Sequence, residues 1–143
     1  MHLRTVYRFL IFPYTLMLLY FMFLGFGRTV MDDNIVRVKP VYSTFLFVYQ
    51  KFLQQDFRTI WINLVGNIVM FIPFGFLGWV FPKLSNLSQL MAAFLTAIFC
   101  AEGLQYFTRL GIFELDDIIL NSIGVLLGFW MFQKLNKTEV ANV

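Results

Sequence analysis

Along this chain of 143 residues, polar side chains fall in narrow bands between apolar runs, and each run comes close to the length of a membrane span. A hydrocarbon core about 30 Å thick takes about 20 helical residues. The first run, Phe9 to Phe26, follows Arg4 and Arg8 and lacks a small-residue cleavage site behind it. It therefore reads as a retained first span rather than a removed leader, with Pro13 in its first turns, where a missing N–H does least harm. A second span runs from about Ile60 to Phe81 and contains Asn63, Asn67 and Pro73, and a third covers about Leu87 to Phe107 with Glu102 and Gln105 near its end. The fourth uninterrupted run, Ile118 to Phe132, would reach only about 22 Å at about 1.5 Å per residue. The helix is therefore expected to begin near Phe113, with Asp116 and Asp117 within or at the edge of the hydrocarbon, or else Leu110 to Leu115 forms a partly re-entrant loop.

The long connection from Gly27 to Arg58 has two unlike halves. Arg28 to Pro40 is polar and should be solvated. Beyond it, Phe45, Val48, Tyr49, Phe52 and Leu53 recur at helical spacing, with Gln50, Lys51, Gln54 and Gln55 on the other face. That pattern fits a helix lying in the membrane interface or packed on the bundle. The expected architecture is an all-α polytopic membrane protein, one domain over residues 1–143, with spans at about 9–26, 60–81, 87–107 and 113–132.

Composition agrees: 59% hydrophobic, 13% charged and a mean hydropathy of +0.74 lie outside the range of soluble domains, where roughly a quarter of residues are charged. The net charge of +3 does not point to nucleic acid, because the basic residues stand singly near the ends of apolar runs, where they meet headgroups. Cys100 is the only cysteine and His2 the only histidine, which excludes an intrachain disulfide, a thiol zinc cluster and histidine catalysis within the membrane. Lysine and arginine divide almost evenly between the two sides. The basic N-terminal tail abutting the first span places both termini in the cytoplasm.

Charge inside a span costs about 2.5 to 3.5 kcal/mol per residue, so the intramembrane polar groups need partners or a task. Spans two and four enter from the side on which span three leaves. Asn63, Asn67, Glu102, Gln105, Asp116, Asp117 and Asn121 therefore share one depth, the outer leaflet when the termini are inside. Asn63 and Asn67 are i, i+4, Glu102, Gln105 and Arg109 step by three and four, and Asp117, Asn121, Gly124 and Gly128 share one stripe. Gly124 and Gly128 form a G-x-x-x-G that admits close backbone approach. Asn63, Asn67 and Gly75 echo Asp117, Asn121 and Gly128, as two parallel hairpin repeats would.

Each group has a functional and a structural reading. Glu102 is a candidate proton-transfer group with a pKa raised by burial, or a tie to Arg109 or Gln105. One of Asp116 and Asp117 is expected to cap the fourth helix, and Asp117 is the better functional candidate because it shares a face with Asn121. The asparagines serve as ligand groups or as interhelical hydrogen-bond glue. Pro73 and Gly75 kink span two and open space for an acyl chain. Oxygens from Glu102, Asp117, Asn67 and Asn121 suit a hard cation such as Mg²⁺ or Ca²⁺ in chemistry, yet no metal or other cofactor is expected.

Taken together, N-x-x-x-N-x-x-x-F-x-P-x-G from Asn63, followed by E-x-x-Q, an arginine, D-D and N-x-x-G-x-x-x-G, resembles the two signature blocks of the VanZ-like family of bacterial membrane proteins. Pro40 stands in the first loop without the asparagine that often precedes it in that family. The resemblance implies a multi-pass protein of a Gram-positive cell membrane, related to one that lowers susceptibility to teicoplanin, a glycopeptide with a lipid tail, and it implies no agreed reaction. By motif position it marks Asn63, Asn67, Glu102, Gln105, Arg109, Asp116, Asp117 and Asn121.

Three functions compete. In the first, a polar pocket in the outer leaflet contributes to lipoglycopeptide resistance. In the second, a membrane enzyme acts on a lipid-linked envelope precursor, with Glu102 and Asp117 as acid and base and Arg109 holding a phosphate or carboxylate. In the third, the polar layer only serves assembly. The expected partners are membrane lipids, together with a lipoglycopeptide or a lipid-linked precursor.

Overall fold

A computed structural model describes residues 2–25, 29–37 and 42–141. Phe26, Arg28, Lys39 and Pro40, which the sequence assigns to the end of the first span and to the loop, lie outside these residues. The order is α1 (His2–Phe23), β1 (Val36–Arg37), α2 (Tyr42–Leu53), α3 (Phe57–Phe71), a 3-10 segment (Ile72–Trp79), a 3-10 turn (Pro82–Ser85), α4 (Leu87–Thr108), β2 (Phe113–Glu114) and α5 (Leu115–Ala141). Leu3–Phe23, Phe57–Trp79, Leu87–Thr108 and Leu115–Lys137 are each long and apolar enough to cross a membrane. The protein is an all-α, multi-pass membrane protein. Among the described residues the strands amount to one short parallel pairing, Val36 with Phe113 and Arg37 with Glu114, which ties the first long loop to the α4–α5 connection.

Three expectations change in detail. Because α1 already begins at His2, Pro13 lies in its middle and not in its first turns. The fourth helix starts at Leu115, two residues later than expected, and continues past Phe132 to Ala141, so the short apolar run is part of a helix of ordinary spanning length. The segment before it pairs as a strand through Phe113 and Glu114. The second span is α-helical only to Phe71, then tightens into the 3-10 segment where Pro73 removes a backbone donor.

That change of helix type decides how two neighbours pack. On one side α5 comes against α3 and the 3-10 segment. A Cβ at Gly124 would collide with the Ile68 carbonyl, one at Gly128 with the Ile72 carbonyl, and one at Gly75 with the Phe129 backbone, so here only glycine permits the approach. On the other side α1 is held by side chains that donate to backbone carbonyls. Tyr14 Oη–H donates to the Met70 carbonyl at 2.7 Å, Tyr7 Oη–H to the Pro73 carbonyl at 2.9 Å and Arg8 Nε–H to the Trp79 carbonyl at 2.8 Å. Met70 lies just before the irregular stretch, and Pro73 and Trp79 lie within it; a carbonyl left unpaired in hydrocarbon costs several kcal/mol. At the same end of the bundle, Asn136 Oδ1 accepts both from Arg4 at 3.0 Å and from Trp79 Nε1–H at 3.1 Å.

Between these contacts, Leu18, Phe71, Leu90, Phe94, Ile98, Ile118 and Val125 form the buried core. Outside it, α2 forms as the spacing predicts, and Phe45, Tyr49, Phe52 and Leu53 are left uncovered by the rest of the protein.

Candidate functional site

The polar stripes of α3, α4 and α5 meet at one level. Gly124 brings α5 against α3 one turn beyond Asn121, and at that approach Asn67 Nδ2–H donates to Asp117 Oδ1 at 2.9 Å. Glu102 on α4 is only 2% exposed, and its Oε2 accepts the backbone N–H of Glu114 at 3.3 Å. The α4–α5 connection is thereby pulled down onto the helix it has just left. Gln105, one turn further along α4, donates from Nε2 to the Met22 carbonyl at 2.8 Å, which satisfies an acceptor near the end of α1.

Asn63 turns its Nδ2–H back to the Thr59 carbonyl of its own helix at 2.9 Å. Asn121 is 3% exposed, and its Oδ1 has no hydrogen-bond partner. An unsatisfied buried acceptor carries a cost of about 1 to 3 kcal/mol, so it marks a place where a donor is missing.

These groups surround one cavity of about 710 Å³. Asn63, Asn67, Glu102, Gln105, Asp117 and Asn121 all line it, as does Glu114. Apart from Thr29, its remaining side chains are apolar, including Leu18, Met22 and Phe71. A second cavity of about 510 Å³ runs between α1, the 3-10 segment and α4, has almost wholly apolar walls, and shares Leu18, Met22 and Phe71 with the first. A narrow cleft of about 160 Å³ lies across the Asn67–Asp117 pair and reaches Thr44 and Phe47 on α2.

Two residues of the sequence-derived set stand elsewhere. Arg109 ends α4 in the left-handed conformation, φ 57°. Its guanidinium donates to Asn34 Oδ1 at 2.9 Å and to the Asp32 carbonyl at 3.1 Å, while its own carbonyl accepts from Met31 N–H at 2.9 Å. It fastens the first loop above the bundle and does not line the cavity. Asp116 is buried, and its Oδ2 accepts from the backbone N–H of Thr44 at 3.1 Å and from Thr44 Oγ1–H at 2.7 Å, so it caps the first turn of α2.

Glu114 is the cavity group that sequence reasoning missed. It stands in a short apolar connection outside every helical stripe, and the available signal was a lone carboxylate in that setting. Among the described residues no group of three histidine, cysteine, aspartate or glutamate side chains is placed to hold a metal ion. Thr29 supplies the hydroxyl among the cavity's lining side chains, and Cys100 is exposed elsewhere. The arrangement gathers three carboxyl groups and four side-chain amides around one cavity.

A model of the VanZ/LLP1 family matches residues 9–136. The chain belongs to the VanZ/LLP1 family. No curated protein and no solved structure matches it. The matched stretch of this VanZ/LLP1 protein holds every residue that lines the polar cavity, together with the three glycines of the close helix approach.

Proposed function

We propose that this VanZ/LLP1 protein contributes to resistance against lipid-bearing glycopeptides of the teicoplanin type by holding an amphiphile at the polar cavity. The observation that carries this reading is that the polar and the apolar cavity lie side by side, with Leu18, Met22 and Phe71 in the walls of both. A headgroup occupies the polar cavity, and a hydrocarbon tail continues from it into the apolar one. The apolar cavity follows α1 from Arg8 to Met22, about 21 Å at the helical rise. That exceeds one leaflet's half of a core about 30 Å thick.

In this reading the termini are cytoplasmic, the cavity lies in the outer leaflet of a Gram-positive cell membrane, and α2 lies in the interface with its uncovered aromatic face toward lipid. Tail recognition accounts for discrimination between lipid-bearing teicoplanin and tail-less vancomycin. The test is susceptibility to both drugs in a host expressing wild type or Glu102→Gln at matched membrane abundance. Protection against teicoplanin alone, lost in the variant, is the expected result. Equal protection against both drugs would end tail recognition, and no protection by wild type would end the resistance role.

A second reading, an enzyme acting on a lipid-linked envelope precursor, is favoured by Glu102 and Asp117 lining one cavity. Arg109 is tied to Asn34 and Asp32 and offers that reading no anion clamp. Conversion of a purified envelope lipid, abolished by Glu102→Gln, would establish it.

A further inference from the structure

Three sides of the polar cavity are closed by short contacts. Between α3 and α5 the closure is the Asn67–Asp117 bond and the approach at Gly124, where a Cβ would collide with the Ile68 carbonyl. Between α4 and α5 it is the Glu114 N–H on Glu102, and between α4 and α1 it is the Gln105 side chain on the Met22 carbonyl. The fourth side lies between α1 and α3. There the hydrogen bonds of Tyr14, Tyr7 and Arg8 reach the second span at Met70, Pro73 and Trp79, all of them beyond Gly66 along the chain.

Both edges of that side line the cavity, Leu18, Phe21 and Met22 on α1 and Ile62, Gly66 and Met70 on α3. The three α3 residues follow one another at i, i+4 and so share one face of the helix. Ile62 is 60% exposed although it lines the cavity, which makes it a rim residue. A Cβ at Gly66 would meet nothing within 4 Å, in contrast to the collision at Gly124. Glycine weakens a helix interior, and at Gly66 no close backbone approach asks for it. The space in front of it is open.

Depth decides what meets that opening. Phe57–Trp79 is the spanning segment, and Gly66 stands about 14 Å from its start at the helical rise, near the middle of a core about 30 Å thick. Toward the start of α3 the rim turns polar at Asn63. Toward Met70 it leads to Leu18, Met22 and Phe71, which also line the apolar cavity. An amphiphile standing in the bilayer passes such a slot sideways without lifting its chain out of lipid.

We propose that the polar cavity opens sideways into the bilayer between α1 and α3, at Gly66, and takes its amphiphile from the lipid phase and not from water. This supplies the route and the immediate source of the amphiphile of the preceding section, and it rests on that reading. Gly66 is the portal residue, kept small so that a chain can pass.

The test uses the full-length protein in phosphatidylcholine vesicles, with the exposed Cys100 replaced by serine so that a nitroxide label can be placed at one site. Gly66→Cys carries the label at the opening. Gly103→Cys carries it on α4, outside the three cavities, where a Cβ also meets nothing within 4 Å. Gly103 shares a face with the exposed Phe99 and Phe107, so it reports ordinary lipid contact. The label at Gly66 is expected to relax with molecular oxygen, which concentrates in hydrocarbon, more than with a water-soluble nickel chelate, as the label at Gly103 does. A nickel response exceeding the oxygen response means an aqueous opening, and no response to either reagent means a closed wall; each overturns the proposal.

Uptake supplies the second arm. Hexadecanol, an uncharged single-chain probe, is mixed into the vesicles, and its retention by the released protein is read by native mass spectrometry. Gly66→Phe is expected to lose the probe, and Gly103→Phe to retain it as wild type does. Retention by Gly66→Phe equal to wild type, or an equal loss in both variants, overturns the route and leaves the amphiphile reading standing. No retention by wild type ends that reading and the route with it. The labelled proteins carry the smaller side chain, so the first arm decides the matter even where Gly66→Phe does not fold.

Discussion

The two faces of the irregular second span are held by opposite means. Toward α5 the contact is backbone against backbone, through Gly75, Gly124 and Gly128, with no room for a methyl group. Toward α1 it is made by the long side chains Tyr7, Arg8 and Tyr14 reaching to carbonyls, and an apolar cavity of about 510 Å³ remains beside them. Lipid tails are as apolar as leucine, so helix association in a membrane relies on close packing and on hydrogen bonds instead of expulsion of water. The protein uses the first device where it needs a fixed frame. It uses the second beside the apolar cavity.

The contrast is broken most severely at Gly128. Gly128→Val drives a branched side chain into the Ile72 carbonyl and should cost about 3 kcal/mol or prevent assembly. Unfolding in mixed micelles measures this, and a variant as resistant as wild type would show that the glycine contact is dispensable. The double variant Tyr7→Phe, Tyr14→Phe removes two hydrogen bonds between α1 and the second span, worth about 0.6 to 1 kcal/mol each. Hydrogen exchange should rise in α1 and stay unchanged along α5; a uniform rise would mean that the two faces are not separate units.

Filling the apolar cavity sharpens the comparison. Ala97→Phe places a ring where the tail is proposed to lie, so stability should change by about 0.5 kcal/mol or less while any advantage of a long-chain ligand over a short-chain one disappears. Retention of chain-length dependence in that variant would separate the tail from this cavity.

The smallest effect is expected at the entry to α3. Asp56 accepts from the Thr59 backbone N–H at 3.2 Å as the N-cap, and hydrogen bonds from the Thr59 side chain and backbone hold its carboxyl below the usual carboxylate range. A lowered folded-state pKa means that the cap's contribution is present above the ordinary aspartate range and fades as pH falls through the folded value. Exchange of the Thr59 amide should accelerate relative to mid-helix amides on acidification, and Asp56→Asn should flatten that dependence. A wild-type profile that does not change with pH would remove the carboxylate from the cap.

Much of the site was legible because periodicity reports helix faces. Asn67, Asp117, Asn121 and the G-x-x-x-G each sit on the stripe that their spacing assigns, and the up-and-down layout brings those stripes to one depth. Arg109, counted on the α4 stripe, and Asp116, included by its depth and by the family motif, stand away from the cavity for local causes. Arg109 continues the α4 stripe in number, but the helix ends at Thr108 and the arginine turns out in the left-handed conformation toward Asn34. Asp116 shares its neighbour's position in sequence and is drawn aside by Thr44, a partner 72 residues away.

The same limit explains Glu114 and Pro73. A carboxylate in a connection has no period, and a proline announces a break without saying whether the chain will kink or tighten into 3-10 geometry. Helix faces are written locally, whereas the loops that close over them depend on partners from distant segments.

The junction at Asn136 joins three segments that are far apart in sequence. One amide oxygen receives Arg4 from the first helix and Trp79 from the end of the second span. Asn136 lies 132 residues from Arg4 and 57 from Trp79, so this clasp closes only when the last helix stands beside both partners. A change at Asn136 therefore reaches the first helix and the second span together.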